Sequence, residues 1–263
     1  MKFLFLIFLI IGCSTNTGNY RMPANRFNTP EVTGGSIFAL DLKGRTNVNY
    51  GASNRVSTSN EIGAMIGQET AEVSIEGATQ LGLRLDLSLF DRMDFYLNYA
   101  LQSPGTGGLK WQFLGKTEEA FSPGWKSSIA LGLGGSSTEN KVLPIEGSSS
   151  TTYVTGSNDL SVMDFNWHIG YRFPVRLLLY LNVNYSTYTN DITVSQTNAG
   201  VVTSYSKKPK SENLGLILGL EYYFKSKESF LIGELGWSQG KVDSNDAQNS
   251  IASLGINFGW RFE

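Results

Sequence analysis

One histidine, one cysteine and a series of charged residues at alternate positions are the groups in this chain that could do chemistry. His168 stands in the run Asp164, Asn166, His168 and Arg172, all at even positions. Side chains on a strand switch faces with a period of two, so these four share one face. A histidine beside a carboxylate or a hydroxyl is the core of a hydrolytic site. The same residues also serve as a polar network inside a fold, where Arg172→Ala would cost stability more than function. Cys13 is the only cysteine, so no intramolecular disulfide is possible. With one His and one Cys there is no metal-ligand spacing, and no cofactor is expected. Gly132-Leu133-Gly134-Gly135 lacks the spacing of a phosphate-binding loop, and its glycines read as making room inside the fold. Lys207, Lys208 and Lys210 form a basic cluster around Pro209, either a phosphate contact or a solvated loop tip.

The elements that must position these groups are strands. Leu81, Leu83, Leu85, Leu87 and Leu89 alternate with Gly82, Arg84, Asp86 and Ser88; Leu214 to Phe224 repeats the pattern against Gly215, Gly219 and Glu221. The periodicity predicts ten strands, at 34–44, 77–90, 93–102, 107–116, 124–136, 159–173, 175–190, 211–224, 229–241 and 249–262. Short connections at Asp91-Arg92, Pro174 and 225–228, with one of moderate length at 117–123, alternate with longer Ser/Asn/Gly/Thr-rich ones at 45–76, 137–158, 191–210 and 242–248, among which 103–106 is the one short member. Residues 14–33 are polar and aperiodic, and read as a tether.

The 263 residues carry a net charge of −2, which gives no reason to expect nucleic acid as a partner. No run of about 18 apolar residues exists, so no transmembrane helix is expected. The apolar register of the strands contains no Asp, Glu, Lys or Arg. A cation at mid-bilayer on a lipid-facing strand costs about 2–4 kcal/mol, so lipid exposure explains this absence. The opposite register is rich in Gly and mixed in sign. It predicts a lumen network of Arg84, Asp86, Asp164, His168, Arg172, Glu221, Glu234 and Arg261, joined by Asp41, Lys43, Lys110, Lys126 and Arg176. The expected fold is therefore all-β: an antiparallel, up-and-down transmembrane β-barrel of about 10 strands. A soluble barrel with its apolar face inward, of the lipocalin-like kind, has the same periodicity.

The N-terminus has Lys2, an apolar stretch from Phe3 to Ile11, then Gly12-Cys13-Ser14, the form of an export signal. Ile10-Ile11-Gly12-Cys13 resembles the lipobox of bacterial lipoproteins. That resemblance implies cleavage before Cys13 and its acylation, and Ser14 resembles the outer-membrane sorting pattern. The domains then read as a signal peptide at 1–13, a periplasmic tether at 14–33 and a barrel at 34–263. A membrane barrel is held by its own apolar belt, so a lipid anchor is redundant with it.

The alternation, the short and long connections and the chain end Leu254 to Phe262 resemble the small outer-membrane barrels of diderm bacteria. In that resemblance the long loops are extracellular, Glu263 displaces the usual terminal aromatic, and the partners are outer-membrane lipid, lipopolysaccharide and the barrel assembly machinery. The implied role is non-enzymatic, a surface or structural protein whose loops are its contact surface. A narrow pore, a hydrolase using His168 and a lipocalin-like ligand-binding lipoprotein are the alternatives. His168 matches the active-site pattern of neither the omptin proteases nor the lipid-A deacylases.

Overall fold

The computed structural model describes residues 19–37, 41–58, 73–117, 121–144, 153–198, 201–224, 228–243 and 246–262. Its strands are β1 (Tyr20–Pro23), β2 (Gly44–Thr58), β3 (Val73–Phe90), β4 (Met93–Ala100), β5 (Gly105–Leu114) and β6 (Gly124–Pro144). They continue with β7 (Tyr153–Arg172), β8 (Leu177–Asn198), β9 (Val201–Lys207), β10 (Lys210–Tyr223), β11 (Ser229–Val242) and β12 (Ala247–Phe262). Neighbours pair antiparallel throughout, and β2 pairs with both β12 and β3. Among the described residues ten strands thus form a closed barrel, with β1 and β9 as additions to β2 and β8.

Alternation decides which face meets which medium. In β10, Leu216 and Leu218 are 48% and 50% exposed while Ile217 between them is fully buried. The leucines point outward, so the apolar register covers the outside and the charges lie within. The lipocalin-like alternative, with its apolar face inward, is excluded by that direction. From Leu177 to Tyr185 the outward residues of β8 are apolar over nine positions, close to the 9–11 residues with which a tilted strand crosses a bilayer. Trp125, Tyr171, Phe173, Tyr222, Phe224, Phe258 and Trp260 gather at one rim in edge-on and tilted ring contacts. Tyr50, Tyr99, Tyr185 and Trp237 lie toward the other. Two aromatic girdles around an apolar belt are the outside of a membrane barrel.

The two rims differ. At the turn end are the connections at 91–92, 115–123, 173–176 and 224–228; at the loop end are those between β2 and β3, β4 and β5, β6 and β7, β8 and β10, and β11 and β12. Strands β6, β7 and β8 have 21, 20 and 22 residues, about twice what the bilayer needs, so their upper halves rise beyond it at the loop end. There β9 continues the line of β10 along β8, interrupted at Pro209, which has no N–H for the ladder.

Three expectations are corrected. The first wall strand is Gly44–Thr58, not 34–44, and residues 45–58 and 73–76 of the connection expected at 45–76 are strand. The barrel wall therefore begins at residue 44 rather than 34. The connections expected at 137–158 and 191–210 likewise hold the extended ends of β6, β7 and β8, and β9. The third correction concerns the tether expected at 14–33, of which residues 20–33 run inside the barrel.

Candidate functional site: a lumen filled by the N-terminal segment

Eight strands enclose an interior that their own side chains fill; ten leave extra room. Here that room holds residues 20–35, a single extended strap of which every residue except Arg21 is buried. The strap begins at the loop end, where Tyr20, Arg21, Met22 and Pro23 pair with Val56, Arg55, Asn54 and Ser53 of β2. It ends at the turn end, where Ser36 bridges Asp41 just before β2. Nothing in its composition announces this position. Its partners are side chains of distant strands, a relation that has no period.

Those partners can be followed down the lumen. Tyr20 stacks on Tyr188 with ring centroids 5.7 Å apart and hydrogen-bonds Ser211. With Met22, Val56, Leu160, Val162 and Val242 it makes an apolar cluster that closes the loop end. Below it, Asn25 Oδ1 accepts from Ala52 N at 2.9 Å, and Asn213 Nδ2 donates to Pro23 O at 3.1 Å. The backbone N–H groups of Arg26 and Phe27 donate to the Glu234 carboxylate at 3.0 and 2.9 Å, and Tyr180 adds a third donor at 2.8 Å. Arg26 pairs with Asp164 at 3.3 Å and donates to Ser186. At the turn end Val32 N donates to Gln112 at 2.9 Å, and Thr33 gives both its N–H and its hydroxyl to Asp94, at 2.9 and 2.8 Å.

Glu31 ties the strap to a continuous run of buried charge. It pairs with Arg172 and, at 3.3 Å, with Lys126. Arg172 also reaches Glu221 at 2.7 Å; Glu221 meets Arg45 at 3.1 Å; Arg45 meets Asp86 at 3.3 Å. Asp86 further takes Arg84 at 2.7 Å and Lys110 at 3.8 Å, and Lys110 returns to Asp94 at 3.7 Å. Signs alternate along the run, which keeps each charge compensated where water is scarce. Aromatic faces help at the bottom: Arg172 lies 5.8 Å over Phe121 and 5.4 Å over Tyr223, and Arg261 5.6 Å over Phe121. Phe121, from the turn between β5 and β6, packs edge-on against Tyr223 and caps the turn end. Arg172→Ala takes a cation from two carboxylates at once. It is expected to lower the urea midpoint of the folded, heat-modifiable form while leaving any loop-side binding intact.

The wall is shaped to the strap. A Cβ on Gly255 would come within 2.5 Å of the Phe27 ring, and one on Gly240 within 2.7 Å of Met22. Inward glycines at these two positions are what lets an extended chain pass. Gly132, also inward, lies against the Tyr96 hydroxyl, where an added Cβ would have no room.

All eight residues expected in the lumen network are buried inside the barrel. Seven of them join the ion-pair, hydrogen-bond and cation–π contacts above. His168 does not. Its Nδ1 lies 3.2 Å from Ser128 Oγ, and its Nε2 has no hydrogen-bond partner among the described residues. Asp164, the carboxylate on its face, is occupied by Arg26, Asn166 and Ser186. Lys43, Lys110 and Lys126 are buried as well, whereas Asp41 is exposed and Arg176 sits in a turn with φ 63°. Sequence reasoning missed Asp94, Arg45, Arg26 and Glu31. Arg45 lay in a presumed loop, and the last two in a presumed tether. Cys13 lies outside the described residues.

No protein-family model and no curated protein sequence matches the chain. Among solved structures it is similar to Ail of Yersinia pestis, at 10% identity over 84% of this chain and 99% of that one, with a TM-score of 0.35. It is also similar to Neisserial surface protein A, at 11% identity over 84% and 95% of the two chains, TM-score 0.31. A third is the outer-membrane protease OmpT of Escherichia coli, at 11% identity over 84% and 93%, TM-score 0.35.

Proposed function

We propose that the protein is a non-enzymatic barrel of the bacterial outer membrane, sealed along its axis, that acts through the surface at its loop end. The observation that carries this reading is the strap. Residues 20–35 occupy the lumen from rim to rim, with an apolar cluster at one end and Phe121 at the other. A channel needs an open, hydrated path, and a nucleophile needs a route for its substrate. Ser128 and His168 are both fully buried. Among the described residues, β9 is exposed at the loop end, with Val201 and Val202 68% and 62% exposed, borne on a rigid scaffold. In this reading the loop end faces outward and the turn end faces the periplasm. Lys207, Lys208 and Lys210 stand at the loop end, Lys208 paired with Asp191, and the lipopolysaccharide phosphates are their proposed contact.

Planar-bilayer recording of the purified, intact protein tests the sealed lumen. No conductance steps above background are expected. Reproducible steps from the unmodified chain would replace this reading with that of a narrow pore.

A further inference from the structure

The strap runs in a direction that bears on where the N-terminus goes. Its last residues, Val32 and Thr33, are held by Gln112 and Asp94 beside the turn end, and Tyr20 lies at the loop end against Tyr188, Ser211 and Val242. Arg21 N donates to Gln102 O, in the connection between β4 and β5 at that same rim, at 2.8 Å. The chain therefore enters at the loop end, descends the lumen, turns near residues 36–43 and rises again as β2. We infer that the strap's N-terminal end, at Asn19 and Tyr20, opens through the loop end onto the outer face of the membrane beside the loops. This rests on the proposed reading that the loop end faces outward.

The inference reverses the expected periplasmic tether, and the fold offers a route to it. The last strand, β12, pairs with β2 over only seven positions, from Tyr50↔Ile256 to Gly44↔Phe262. Above Tyr50, β2 pairs with β1 instead, from Pro23↔Ser53 to Tyr20↔Val56. A strap already laid along β2 is enclosed when β12 closes the seam, so no free end has to be pushed through a finished pore. Cys13 is six residues before Asn19, a reach of about 20 Å in an extended chain. A lipid on Cys13 would then stand at the outer face, where it anchors the strap's free end instead of duplicating the hold of the barrel.

Labelling with a membrane-impermeant maleimide on intact cells tests this, in a chain whose residues 1–13 are replaced by a cleavable cysteine-free signal, that chain without an introduced cysteine being the blank. Thr17→Cys probes the N-terminal residues, exposed Val202→Cys on β9 marks the loop end, and exposed Asp91→Cys marks the turn end. The expected result is full labelling of Thr17→Cys and Val202→Cys on intact cells, and of Asp91→Cys only after permeabilisation. If Val202→Cys reacts on intact cells and Thr17→Cys does not, the N-terminus is elsewhere and the inference falls while the orientation stands. If Asp91→Cys reacts on intact cells and Val202→Cys does not, the orientation falls and takes the outer-face presentation with it. Single-residue probes add no bulk that could itself obstruct the passage.

Discussion

Asp86→Asn is expected to destabilise the barrel by about 3–5 kcal/mol, the cost of leaving a buried charge without its partner. Asp86 is fully buried and receives Arg84 at 2.7 Å, Arg45 at 3.3 Å and Lys110 at 3.8 Å. An amide keeps its shape and removes the charge on which three cations converge. Glu221 still serves Arg45 and Asp94 still serves Lys110, but Arg84 has no second carboxylate among the ion pairs described above. The measurement is a urea titration of the heat-modifiable gel form, with Asp191→Asn, on the partly exposed upper part of β8, as the surface control. A midpoint as little changed as that control's would mean that the charge run is hydrated and contributes little.

Excising residues 22–33 is expected to turn a silent barrel into a conducting one. The groups the strap engages, Asp94, Gln112, Glu234 and Asn213 among them, are polar, and water can replace the strap as their partner. Among the described residues, the buried charged ones left in the wall and at its rim are Lys43, Arg45, Arg84, Lys110, Lys126, Arg172 and Arg261 against Asp86, Asp94, Asp164, Glu221 and Glu234. Seven cations against five carboxylates give the opened lumen a preference for anions, since basic linings select anions. Discrete steps whose reversal potential in a salt gradient follows the anion are the expected outcome. A folded excision variant that stays silent would show that the wall closes on itself and that the strap is not the seal.

The lipid-facing half of the molecule was legible in the sequence because it obeys a period. Leu81 to Leu89, Leu177 to Tyr185 and Leu214 to Phe224 each repeat the same outward chemistry, since every position on that face meets the same hydrocarbon. The inward face was legible in part. Arg84, Asp86, Glu221 and Glu234 stood out as charges alternating with leucine. Strand β2 escaped notice because its inward residues, Asn47, Asn49 and Gly51, and its outward Thr46 and Ala52 have the composition of a loop. Only Val48 and Tyr50 mark its lipid face.

The strap was not legible for a different reason. Its sequence, Tyr20 to Gly35, has two prolines, two asparagines flanking Arg26-Phe27, and no periodicity, which are the marks of a solvated linker. Its buried state is set by residues far away in the chain: Asp94, Gln112, Asp164, Arg172, Asn213 and Glu234. Each also suits a polar network between strands, the acids and Arg172 as ion pairs and the amides of Gln112 and Asn213 as hydrogen-bond partners. A polar segment inside a polar lumen is satisfied by the same donors and acceptors that water offers a tether, so composition alone does not separate the two. Glycines at 240 and 255, opposite Met22 and Phe27, acquire their meaning only once the strap is in place.

Thiol accessibility within the strap tests most directly that residues 20–35 fill the lumen. Thr29 is fully buried, and Thr29→Cys changes little in size. In the folded, detergent-solubilised protein, with residues 1–13 replaced by a cleavable cysteine-free signal so that Cys13 is absent, Thr29→Cys is expected to stay unmodified by a maleimide while Val202→Cys reacts to completion, and to react fully once the barrel is unfolded by heat. Labelling of Thr29→Cys in the folded protein at the rate of Val202→Cys would place the segment in solvent and contradict the sealed barrel.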